Sequence, residues 1–222
     1  MDEHQFVDCY PQLFHMAEED AWQSIRRHGL LSTTAIVDLF EPPQETRDAI
    51  LNGRRLTSFE LKHDELGSVT VRDQLPLKFL KDSLNDGVDP QEFLDALNSR
   101  VFFWLSEDRL ERLLNARAYR NQRHLILHID TEALLAVHGR EVELAPYNTG
   151  SAHVPTVPKR GPDVFTPLAT YPFDEWRRKR GKRGEPVVEL TVPGRVPAVA
   201  QYVRRAELRQ GDAPPVAVDL GG

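Results

Sequence analysis

The chain has one cysteine, Cys9, so an internal disulfide is excluded and a reducing compartment is expected. Cys9 has no nucleophile signature linking it to His15 and reads as a buried structural thiol. No run of eighteen apolar residues occurs, which argues against a membrane-spanning helix and a membrane partner. Met1-Asp2-Glu3-His4 lacks the basic and apolar regions of a secretory signal, so a cytoplasmic location is expected. No Gly-x-Gly-x-x-Gly follows a strand pattern and no phosphate-cradling Gly-Lys-Ser or Gly-Lys-Thr occurs, which disfavours a Rossmann or P-loop site. Ser151, in Thr149-Gly150-Ser151-Ala152, does not sit in a nucleophile elbow. His124 and His128 fall in a strand pattern, where residues four apart are about 13 Å apart, too far to share one metal. No metal is expected.

What is present suits one globular domain. The 222 residues are 40% hydrophobic, enough for a sizeable core. We expect a single domain over 1–210 and a flexible tail over 211–222. The net charge of -6 argues against a general nucleic-acid coat. Arg177, Arg178, Lys179, Arg180, Lys182 and Arg183 nevertheless crowd into seven positions. That block is either a solvated surface loop or a phosphate-contacting loop.

Periodicity gives an α+β reading, with short strands among helices and no regular alternation. Gln12 to Met16 reads as a strand. Met16 to His28 reads as a helix with Glu18, Glu19 and Asp20 in its first turn and Gly29 as its C-cap. A second helix is expected over Thr34 to Phe40, before Pro42-Pro43. Strands are predicted over 60–63 and 68–72, Arg100 to Leu105, His124 to Ile129, Val142 to Leu144 and Val187 to Val192. Further helices are predicted over Leu75 to Leu84, after Asp89-Pro90, after Ser106, and over Pro197 to Arg204. Tyr147 to Thr170 reads as a long loop.

Two titratable residues stand inside apolar strand patterns, where burial is costly. His15 opens the chain in Leu13-Phe14-His15-Met16, and Glu189 closes it in Val187-Val188-Glu189-Leu190-Thr191-Val192. Taken from the residues alone, His15 is either a core histidine with a backbone partner or a ligand-binding group. Glu189 is either an edge charge or a reacting carboxylate. Phe103 and Trp104 point to opposite faces, so one packs while the other is free to line a pocket.

The segment from Leu13-Phe14-His15 through Ser24-Ile25 to His28-Gly29-Leu30-Leu31-Ser32 resembles the first motif of DarT-like ADP-ribosyltransferases. Val101-Phe102-Phe103-Trp104 followed by Arg109, Leu110 and Leu113 is similar to that family's central aromatic strand and the helix behind it. Val188-Glu189-Leu190-Thr191-Val192 with Gly194, Val196 and Pro197 resembles its catalytic-glutamate strand and Val-Pro turn. Asn148-Thr149-Gly150-Ser151-Ala152 stands where the family has a short loop. Ser32-Thr33-Thr34 replaces the family's short Arg-containing stretch. The chain also resembles uncharacterised bacterial domains carrying Arg72-Asp73-Gln74-x-Pro76, Leu97-Asn98-x-Arg100-Val101-Phe102-Phe103-Trp104 and Asn115-Ala116-Arg117-Ala118-Tyr119-Arg120.

The resemblance implies split, mixed β-sheets flanked by helices. It implies nicotinamide adenine dinucleotide (NAD) as co-substrate, with Glu189, His15 and Arg72 as catalytic residues. Glu189 would stabilise the cation-like ribose and take a proton from the nucleophile. His15 would hold a ribose hydroxyl, and Arg72 would pair with the pyrophosphate. Ser32, Thr33, Phe103, Trp104, Tyr119 and Asn148 complete the implied cofactor site. The basic block would meet a single-stranded DNA or RNA acceptor, in a bacterial toxin or phage-defence effector with an antitoxin or hydrolase partner. A protein or small-molecule acceptor, or a non-catalytic nucleotide- or partner-binding module on the same fold, stays open.

Overall fold

A computed structural model describes residues 1–182 and 184–221. Helix α1 (Glu3–Cys9) leads into strand β1 (Gln12–Glu18). Helix α2 (Trp22–His28), strand β2 (Leu30–Leu31), and helices α3 (Thr33–Phe40) and α4 (Gln44–Leu51) follow. A hairpin of β3 (Phe59–His63) and β4 (Gly67–Val71) precedes helix α5 (Pro90–Asn98) and strand β5 (Arg100–Trp104). Next come α6 (Glu107–Leu114), β6 (His124–Asp130), α7 (Thr131–His138) and β7 (Glu143–Ala145). After an irregular stretch the chain forms β8 (Thr166–Pro167), α8 (Phe173–Arg180), β9 (Glu189–Pro193), β10 (Arg195–Val196), β11 (Val203–Arg209) and β12 (Val216–Ala217).

The fold is α+β. One sheet runs in the order β12-β11-β6-β1-β5-β9-β7-β8. Every ladder between its strands is antiparallel, where mixed sheets were expected. Its middle is weakly joined. β1 pairs with β6 from Gln12↔Asp130 to Glu18↔His124, but with β5 only at Phe14↔Trp104. Past that point β1 and β5 diverge, and the sheet opens between His15–Glu18 and Arg100–Phe103.

The main core fills the face bearing Leu13, Phe103, Leu127, Leu190 and Val192. A smaller cluster of Phe14, Leu110, Leu114 and Ile126 lies under α6 on the other face. β1, β6 and β9 therefore bury both odd and even positions, while β5 buries Val101 and Phe103 and leaves Phe102 and Trp104 half-buried.

Several expectations are corrected. The acidic first turn of α2 does not exist, because Met16, Ala17 and Glu18 extend β1 along Ile126, Leu125 and His124. Residues 75–84 form two 3-10 turns instead of a helix, and Leu84 bridges to Arg160. Residues 197–204 hold one 3-10 turn before β11 takes up the chain. In the segment expected to fray, Val216 and Ala217 pair with β11. Cys9 is exposed at the end of α1, not buried. Among the described residues no helix is long and apolar enough to cross a membrane.

Candidate functional site

The opening between β1 and β5 is a cleft of about 320 Å³. α2, β2, the start of α3 and the β4 strand wall it. Its lining mixes both sheet faces, Met16 with Ala17 and Val101 with Phe102, as a gap between diverging strands requires.

His15 stands at the lip. Its Nδ1 lies 2.8 Å from the Phe102 carbonyl, which the interrupted ladder leaves without a β1 partner. A carbonyl only accepts, so Nδ1 carries the proton and the neutral ring keeps Nε2 as an acceptor. Burial lowers the pKa of His15, the Phe102 carbonyl opposes that shift, and the nearby Arg72 charge adds to it. His15 thus has the backbone partner of a core histidine and still lines a cleft.

Arg72 lies across from it. Its Nε is 3.1 Å from Glu18 Oε1, and its guanidinium sits 4.9 Å above the Tyr119 ring. The structure therefore brings His15, Arg72 and Thr33 to one cleft. Two further guanidinium groups line it, neither singled out from sequence. Arg55 is buried, donates to the carbonyls of Arg72 and Ile50 and to Asn98 Oδ1, and has its pKa pushed down to about 10 by burial. Arg100 is held by Glu143 at 2.6 Å and lies over Phe165. Arg55 follows Gly53-Arg54 in a connection without periodicity, so no pattern marks it.

Glu189 is not among the cleft residues. It pairs with Trp104 on β5 and Ala145 on β7, and so shares the face of Trp104 and Phe102, while His15 shares that of Phe103. Its side chain is buried, with Oε2 accepting from the Thr149 hydroxyl at 2.6 Å and the Thr149 amide at 3.0 Å. Burial pushes its pKa up to about 7, against the pull of Thr149, Arg160 and Arg109.

Residues 11–203 match a family described as "Family of unknown function (DUF7002)". The chain belongs to this family. No curated protein matches the chain.

The matched span contains His15, the cleft and Glu189 alike. The remaining expected cofactor residues fall elsewhere. Phe103 is a core residue with its ring 5.7 Å from that of His15, so it has no free face for a ligand. Phe102 lines the cleft in its place. Trp104 packs against the cluster under α6. Tyr119 is buried beneath Arg72 instead of facing the cleft. Ser32 caps α3, its hydroxyl accepting from Ala35 N–H and its own amide donating to Gly194. In the Asn148-Thr149-Gly150 loop it is Thr149, not Asn148, that touches the carboxylate.

The basic block is mostly helical, not a loop. Arg177 to Arg180 form the last turn of α8, exposed and suited to the negative end of its dipole. Lys182 is exposed beyond it, and Arg183 lies outside the described residues. Arg180 donates to the Pro146 carbonyl at 2.7 Å and lies over Tyr147, which docks the helix beside the Thr149 loop. Ser106, expected as a helix cap, uses its hydroxyl on Glu185, as does Arg109 with its Nε at 2.5 Å. That pair ties α6 to the segment entering β9. Among the described residues no group of three or more metal-ligating side chains assembles.

Proposed function

We propose that the chain is an NAD-dependent mono-ADP-ribosyltransferase that modifies a nucleic-acid base, as a bacterial toxin or phage-defence effector. The observation that carries the reading is the opened sheet. His15 stands on one lip, Arg100–Phe102 form the other, and Glu189 lies one strand beyond, on the opposite face of the sheet from His15. His15 and Glu189 are two strand spacings apart, roughly 10 Å across the sheet. An extended dinucleotide is longer than that, so a ligand passing through the opening at Phe102, from the His15 face to the other, would span both once Glu189 is uncovered.

The residues suit such a ligand in part. Nε2 of His15 accepts from a ribose hydroxyl. Arg72, and behind it Arg55, offer planar forks to the phosphates. Glu18, Asp20, Glu60 and Asp73 also line the cleft and oppose an anion, so Arg72 must exchange Glu18 for phosphate on binding. As nicotinamide leaves, the Glu189 carboxylate stabilises the positive charge growing on ribose. It then takes the proton of the attacking base nitrogen or oxygen. The α8 cations hold the acceptor's phosphates.

Incubation with nicotinamide-labelled NAD, with and without single-stranded oligonucleotides, tests the reading. Wild type should release nicotinamide and label the oligonucleotide. Glu189→Gln should slow both by about 100-fold or more, the range of a lost base and charge stabiliser. Absence of release from wild type, or equal rates in the variant, would overturn it.

A further inference from the structure

Arg160 is a buried arginine in the irregular stretch between β7 and β8, 3% exposed, and makes no ion pair among the described residues. Its guanidinium is spent on backbone. Nη1 donates to the carbonyls of Asn148 at 2.9 Å, Ser151 at 3.3 Å and Thr149 at 3.5 Å, and Nε donates to Pro158 at 3.0 Å. The plane lies over the Tyr147 ring at 5.4 Å. Its own backbone is pinned too: its amide donates to Ser83 and its carbonyl accepts from Asn85. One side chain thus gathers the carbonyls of a loop that lacks a regular ladder, and it anchors that loop to residues 83–85. Loop carbonyls buried without such a donor would cost more than the bonds themselves are worth.

The gathered loop is the one whose Thr149 grips Glu189. We propose that Arg160 is a positioning residue for Glu189, fixing the Asn148–Ser151 loop so that the Thr149 hydroxyl and amide meet the carboxylate. The inference rests on the reading of Glu189 as the reacting carboxylate only for its effect on turnover; the positioning itself is independent of it. A buried guanidinium also favours the anion from a distance, and the Arg160 charge acts on Glu189 in that sense. Both routes predict the same sign. Loss of Arg160 loosens the two donors and removes a favourable charge, so the carboxylate takes up its proton more readily.

The test is a carbon-13 titration of glutamate carboxyls in the intact chain, with the Glu189 signal assigned by its disappearance in Glu189→Gln. Arg160→Met should raise the Glu189 midpoint by about one pH unit. Arg160→Lys keeps the charge but loses the Nε bond to Pro158 and the planar group over Tyr147. It should give a smaller rise, and it supplies the reading if the methionine variant does not fold. Thr149→Val should raise the midpoint as well, and combining it with Arg160→Met should add less than the two single effects summed. A folded Arg160 variant with an unmoved Glu189 midpoint overturns the proposal. In nicotinamide release, Arg160→Met should lower kcat about tenfold with KM little changed and displace the pH profile upward by the same amount as the titration. If wild type releases no nicotinamide, the enzyme reading fails, and the titration still decides the positioning.

Discussion

Glu189 is held between opposing influences: burial favours its neutral form, and the two Thr149 donors favour the anion. Burial prevails, and the folded value near 7 stands above the unfolded glutamate value of about 4.3. A raised carboxyl stabilises the fold only while protonated. Its contribution is therefore complete below about pH 4 and is lost as pH rises through 7. Between pH 5 and 8 the unfolding free energy of wild type should fall by roughly 2–3 kcal/mol relative to Glu189→Gln, read from urea curves at each pH. On the proposed function, turnover should run the other way, rising through about pH 7 as Glu189 ionises. A carboxylate that is anionic only at a cost to stability is a common signature of reacting groups. His15 and Glu189 were legible as polar residues set in apolar strands. Thr149 and Arg55 were not, because Glu189 and Asn98 lie far off in sequence, and Arg160 was not, because its nearby partners sit in an irregular stretch with no period to mark it.

The strands at the sheet's middle, β6, β1, β5 and β9, were read from their apolar runs, while β11 was missed and its start read as a helix. Even β1 shows the limit: Ala17 and Glu18 look helical by spacing, yet the β6 ladder claims them. Helices α1, α4, α7 and α8 escaped notice, each seven or eight residues long, although Asp2 and Asp130 do cap α1 and α7. The chain's two end segments lie together, although His15 and Glu189 face opposite sides of the sheet. β2 pairs with β10 through Leu30↔Val196 and Leu31↔Arg195, which brings the Gly-Leu-Leu-Ser and Pro-Gly-Arg-Val segments together beside the cleft. Gly29 makes the approach possible. It has φ +78°, and an added Cβ would press into the Val196 carbonyl oxygen. Gly29→Ala should destabilise the fold by about 2–3 kcal/mol, through positive φ and backbone displacement together. It should also raise KM for NAD more than it lowers kcat, because β2 walls the cleft and Glu189 lies on another strand. Unchanged stability in a urea titration would show that the β2–β10 contact yields easily.

Across the whole molecule the charge is lopsided, with a net -6 despite a dense basic block at the end of α8. That geometry suits a polyanion approaching one side only, the side where α8 docks beside the Thr149 loop. The cations divide by what they touch. Arg180 holds the Pro146 carbonyl and belongs to the architecture around Glu189. Arg177, Arg178, Lys179 and Lys182 are exposed and have no carboxylate partner among the described residues. Replacing these four with glutamine should leave nicotinamide release without acceptor unchanged, since none of them lines the cleft or touches Glu189. Oligonucleotide labelling should fall by about tenfold or more at moderate salt. The dependence of labelling on salt should flatten, by a slope of about 0.7 for each phosphate contact removed from a single strand. Labelling that fell in parallel with acceptor-free release would assign α8 a structural part. Labelling unaffected at any salt would move the acceptor to another face of the molecule.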